Sequence, residues 1–150
     1  LCALSLFACS NSEADMNDKP GTNIAMLEKF IKLNPKPDAA EWSVLEGETG
    51  SGLGPTDSAL VALLTYSASD YPSAEKSLTE SGSAQGGLMR KAPKWLPRSA
   101  TQSAMNAVGE GFDFGTRAVS AETFASPPFN QGFAVIYPGE RKVLVYLITQ

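Results

Sequence analysis

The chain has 150 residues, 43% of them hydrophobic, and its 12 basic and 16 acidic side chains give a net charge of −4. That length and apolar fraction suit one small globular core, while the acidic balance argues against a nucleic-acid partner. The sequence contains no histidine, which removes Ser-His-Asp and Cys-His catalysis and the common histidine zinc sites.

The first residues, Leu1-Cys2-Ala3-Leu4-Ser5-Leu6-Phe7-Ala8-Cys9, are apolar or small apart from Ser5, and no charge appears before Glu13. This is the composition of the end of a secretory hydrophobic region without its basic start. It is too short to span a bilayer, so residues 1–8 are expected to be a signal-peptide remnant. The junction Leu6-Phe7-Ala8-Cys9 resembles the bacterial lipobox, with Leu three places before the cysteine and a small residue directly before it. Phe7 is bulkier than the residue usual at its place. The resemblance covers residues 1–9 only. It implies a diacylglycerol on the Cys9 thiol, cleavage before Cys9, and acylation of the new amino group. Ser10 stands where an Asp retains many lipoproteins at the inner membrane, so the resemblance implies the outer membrane, facing the periplasm. The alternative is an ordinary cleaved signal peptide, or a buried apolar segment, with Cys9 a bystander. No cysteine follows Cys9, and a lone cysteine in a secreted chain needs an explanation. Acylation supplies one. At about 0.8 kcal/mol per buried CH₂, two or more acyl chains hold a protein to a membrane almost permanently.

Residues 10–22 are rich in Ser, Asn, Asp and Glu and nearly free of apolar side chains. Such a segment buries too little surface to offset its ordering entropy, so a flexible tether is expected, reaching on the order of 40 Å when stretched. Residues 23–150 then form one globular domain. Ile24, Leu27, Phe30 and Ile31 recur at helical spacing, predicting a helix from Asn23 to Leu33 capped by Thr22. Asn34-Pro35-Lys36-Pro37 ends it. Glu41–Glu46 reads as a strand. The apolar run Ser58–Tyr66 suits either strand or helix by periodicity; its short length and its Gly- and Ser-rich flanks favour a buried strand.

Pro72–Glu80 predicts a short helix, since proline suits a first helical position and Gly82 follows. Ser81–Gly87 is a small-residue loop, and a further helix is expected within Ser99–Val108, stopped by Gly109. The clearest element is a C-terminal hairpin, Gly132–Tyr137 with Lys142–Thr149. Between its strands, Pro138 and Gly139 occupy the central places of a predicted type II turn. The second strand is apolar on both faces and should be central. The expected fold class is α+β: an antiparallel sheet of about four strands ending in this hairpin, with two or three helices packed on it.

Few motifs carry chemistry. Gly47-Glu48-Thr49-Gly50-Ser51-Gly52-Leu53-Gly54-Pro55 lacks the Lys-Ser/Thr ending of a phosphate-binding loop, and its glycines do not fall as G-x-G-x-x-G. It reads as a connection between strands. Ser73-Ala74-Glu75-Lys76 matches the S-x-x-K nucleophile pattern of penicillin-binding proteins, but K-T-G is absent and the chain is far too short for that fold. Asp15-x-Asn17 begins like a calcium loop, yet Lys19 and Pro20 stand where a ligand and a glycine are needed. Two carboxylate pairs, Glu46 with Glu48 and Glu110 with Asp113, remain as candidates for acid–base work. Solvated surface acids are the plainer reading of both. No catalytic residue, metal site or cofactor is assigned.

Charge is distributed unevenly. Between Glu80 and Glu110 there is no acidic residue, but Arg90, Lys91, Lys94 and Arg98 are present, with Trp95 among them. This stretch is the candidate binding surface. Its partners would be anionic lipid headgroups, lipopolysaccharide phosphate or an acidic envelope protein. Alternatively Trp95, between Pro93 and Pro97, plugs the core with the charges solvated around it. The leading expectation is a membrane-tethered envelope lipoprotein with a non-enzymatic binding or accessory domain. A small carboxylate-dependent hydrolase or lyase, and an inhibitor or immunity-type protein, are the alternatives.

Overall fold

The computed structural model describes residues 19–46 and 58–149. Cys9, the segment before it, most of the expected tether and the glycine-rich stretch with Glu48 lie outside the described residues. The architecture is the expected α+β, with one strand more than anticipated in the main sheet and a second small sheet beside it.

The main sheet holds five antiparallel strands in the order β1-β2-β8-β7-β6. They are β1 (Ala39–Glu46), β2 (Ser58–Thr65), β6 (Val119–Ser120), β7 (Phe129–Tyr137) and β8 (Lys142–Thr149). A three-stranded sheet in the order β3-β5-β4 is made by β3 (Leu88–Met89), β4 (Asn106–Val108) and β5 (Gly111–Asp113). Helices α1 (Ile24–Leu27), α2 (Tyr71–Ser81) and α3 (Arg98–Thr101) complete the elements.

The ambiguous run at 58–66 is strand, and its neighbours explain why it is apolar throughout. Successive side chains of a strand point to opposite faces. Leu60, Ala62 and Leu64 enter a core under α1 and α2, while Ala59, Val61 and Leu63 enter a second core under the small sheet and α3. β8 divides in the same way, with Val143, Val145 and Leu147 on the helix side and Leu144 and Tyr146 on the other. A strand covered on both faces has no solvent side on which to place polar residues. β8 lies at the centre of the sheet, as its two apolar faces require.

Three local expectations are corrected. The first helix stops at Leu27, and Asn23, not Thr22, caps it by accepting the Met26 amide at 3.0 Å. Leu27 and Ile31 are buried as the spacing requires. However, the Lys32 amide donates to the Phe124 carbonyl at 3.0 Å, so a tertiary bond replaces the next helical one. The helix expected within Ser99–Val108 is the single turn α3; the chain then extends as β4, and Gly109 (φ +59°) sits in the turn to β5. In the hairpin, Tyr137 pairs with Lys142, leaving four loop residues. A loop of that length is built on a tighter helical turn, here Pro138–Glu140, and the left-handed residue is Arg141 (φ +53°), not Gly139.

α2 agrees with expectation, carrying proline in its first turn and Gly82 at its C-cap. The outer edge of β1 is covered at one point, where Gly21 and Trp42 exchange backbone bonds of 2.7 and 2.9 Å. No helix among the described residues is long and apolar enough to cross a membrane.

Candidate functional site

The four basic residues singled out in the sequence belong to a cap, residues 83–118, that covers the face of the main sheet opposite α1 and α2. Met89, Leu96, Ala100, Phe114 and Ala118 are the cap's contribution to the second core, where they meet Phe133, Leu144 and Tyr146. Trp95 packs partly buried against the same core, and its Nε1 donates to Ser43 Oγ on β1 at 3.0 Å. Its indole is thus turned inward and pinned, while Lys94 beside it is exposed.

Arg90 and Arg98 are exposed, and Lys91 is half-buried. Arg90 follows β3 at the place where β5 passes. A Cβ at Gly111 would collide with the carbonyl oxygens of Met89 and Arg90, so only glycine lets β5 approach this closely. Arg98 opens α3, and its carbonyl accepts from the Gln102 amide at 2.8 Å.

Beside the cap is an open cleft of about 720 Å³, bordered by Leu88, Arg90, Glu122, Gln131, Gly132 and Tyr146 among others. It forms because β6 ends at Ser120, which pairs with Phe133, so β7 runs on beyond its neighbour. Burial raises the pKa of the Tyr146 hydroxyl, partly opposed by a backbone hydrogen bond from Arg90 and by the Arg90 charge. The cleft therefore has one cation, Arg90, and one carboxylate, Glu122, with the side-chain amides of Gln85, Asn130 and Gln131 set among serines and apolar residues. That set can hold a polar ligand in place but brings no paired acid and base together.

The carboxylates proposed for acid–base work lie elsewhere. Glu46 is exposed at the end of β1 and Glu110 is exposed in the turn between β4 and β5. Asp113 is half-buried, and its Oδ1 accepts the Gly115 amide at 2.9 Å. None of these three borders the cleft, where Glu122 is the carboxylate. Ser73 and Lys76 are exposed on α2, and Lys76 lies 3.9 Å from Glu80. No group of three acidic side chains among the described residues is placed to hold a metal ion.

The cleft was not foreseen. Its one local signal was Gly132, which opens the expected strand but lies inside β7 as formed, where a glycine marks a bulge or a close backbone approach. The structure has both, a register shift between Phe129 and Gln131 and a position at Gly132 where a Cβ would strike the Tyr146 carbonyl. Comparison of the chain with protein-family models, curated proteins and solved structures found no match.

Proposed function

We propose that this chain is a bacterial envelope lipoprotein, anchored through acylated Cys9 at the outer membrane, whose domain is a non-catalytic binding module contacting its partner through the cap. The anchor rests on the resemblance of Leu6-Phe7-Ala8-Cys9 to the lipobox. The contact face rests on one observation: Arg90, Lys94 and Arg98 reach solvent on the same cap while Trp95, the aromatic among them, is tied to Ser43. Cations held by a folded cap form a fixed positive surface that attracts acidic partners and aligns them.

The test uses the intact acylated protein. Intact-mass spectrometry should show acyl chains on Cys9; an unmodified thiol removes the anchor. Affinity capture from native membranes should lose its co-purifying envelope components in the variant Arg90→Glu/Arg98→Glu. Undiminished capture by that variant would move the contact face away from the cap.

A further inference from the structure

We infer that the cleft beside the cap binds a short extended peptide, which takes the place opposite Gly132 that β6 leaves empty and pairs with Gly132 through its main chain. The inference goes beyond the cap reading and shares only Arg90 with it.

The pairing of the main sheet fixes where the backbone groups of Gly132 point. The Tyr66 amide donates to the Arg141 carbonyl at 2.9 Å, so Arg141 turns its backbone groups to the β2 side. Along an antiparallel strand these groups alternate from one side to the other. Lys142, Leu144 and Tyr146 therefore turn theirs toward β7, where their partners are Tyr137, Val135 and Phe133. That leaves Ile136, Ala134 and Gly132 facing the β6 side. Ala134 is paired there with Val119. Consistently, Ala118 and Ser120 bond the other way, to Ala84 and Gly82 at 3.2 and 2.8 Å. Continuing this register would set Ala121 opposite Gly132, but β6 ends at Ser120. The chain turns at that point, the Phe124 amide donating to the Ala121 carbonyl at 2.9 Å. Among the described residues nothing bonds to the Gly132 backbone from this side, and Gly132 is exposed in the cleft.

An open N–H and C=O on a strand edge are a template for one more strand. The opening is short. The Phe129 carbonyl accepts the Ser126 amide at 3.0 Å, and Phe133 already stands opposite Ser120. The edge of a second copy's sheet needs a longer run than this, whereas a single peptide can complete its bonds on the cleft walls. A volume of about 720 Å³ is that of a small-ligand site. Exposed Gln85, Asn130 and Gln131 offer both donors and acceptors to further peptide groups. Arg90 and Glu122, neither in a salt bridge among the described residues, suit one acidic and one basic side chain. Amide side chains alone would serve a sugar equally well. The paired N–H and C=O of one strand residue select a peptide backbone, which presents the complementary two groups from a single residue.

The experiment uses the full chain with Cys9→Ser and the probe acetyl-Asp-Val-Thr-Val-Lys-amide, followed by amide NMR. Adding the probe should move the Gly132 signal downfield and slow its exchange with solvent. Two further probes carry N-methyl groups on alternate residues. One of them should bind at least about tenfold more weakly, having lost its main-chain donors toward Gly132, while the other still binds. Glu122→Lys changes an exposed side chain and should weaken the unmethylated probe by about twofold to fivefold, with circular dichroism confirming the fold. Gly132 itself is kept, since a Cβ there would strike the Tyr146 carbonyl. A Gly132 signal unmoved by the probe at millimolar concentration, or equal binding of the two methylated probes, overturns the inference. So does a chitin disaccharide that shifts this signal where the peptide does not. Capture of envelope components that still depends on Arg90 and Arg98 would then leave the cap reading standing without the peptide site.

Discussion

At Trp95 a single hydrogen bond supports one of two readings of the same residue. Flanked by Lys94 and close to Arg98, the indole looks in the sequence like part of a sticky basic loop. In the folded chain its Nε1 reaches Ser43, on the edge strand of the main sheet, and closes the cap down onto β1. No local pattern could have shown this, because the partner lies on a different element, brought near only by the completed sheet. A part-buried neutral hydrogen bond contributes about 1 kcal/mol net. Trp95→Phe and Ser43→Ala should each lower stability by about that amount in urea titrations, and the double variant should lose little more than either single one. Capture of envelope components should be unchanged in all three. A large loss of capture in Trp95→Phe with little loss of stability would return the indole to the contact surface.

At the scale of elements, legibility followed the source of the signal. Strands β7 and β8 were readable from their Val, Ile, Phe and Tyr content and the turn between them, whereas the apolar run of β2 suited helix as well and was placed by its length and flanks. α2 was readable because proline and glycine mark its two ends. α1 and the cap were misjudged for a common reason, since there the backbone is governed by distant partners. Lys32 bonds to Phe124, and Met105 bonds to Asp113 at 2.8 Å before entering β4. The basic residues of the site were visible by charge alone, whereas the exposure of Met105 and Val108 was hidden until β4 replaced the expected helix. The small sheet also depends on one missing side chain. Gly111→Ala would drive a methyl group into the backbone carbonyls of Met89 and Arg90. It should destabilise the chain by about 3 kcal/mol and displace Arg90, visible as a lowered urea midpoint together with weakened capture.

Across the whole molecule, one sheet serves two cores. Trp42 packs on the helix side and Trp95 on the cap side, so the two tryptophans report on opposite faces. β2, β7 and β8 contribute to both cores, which gives neither face an independent scaffold. In Trp42→Phe and Trp95→Phe variants, each compared with its own circular dichroism, fluorescence and secondary structure should therefore be lost in one coincident transition. Fluorescence of Trp95 changing well before the secondary structure melts would show that the cap opens separately.

The position of β8 also sets a timetable for synthesis. Ala59 pairs with Ile148 and Thr65 with Lys142, so β2 leaves the ribosome long before the strand that completes it. In the interval β1 shields one edge of β2, while the other edge, bearing Ala59 to Leu64, has no native neighbour and is a hazard for clumping. The same delay postpones assembly until nearly all of the described chain is available. A polypeptide exported as proposed must thread a narrow channel unfolded, and a keystone strand supplied so late keeps it in that state.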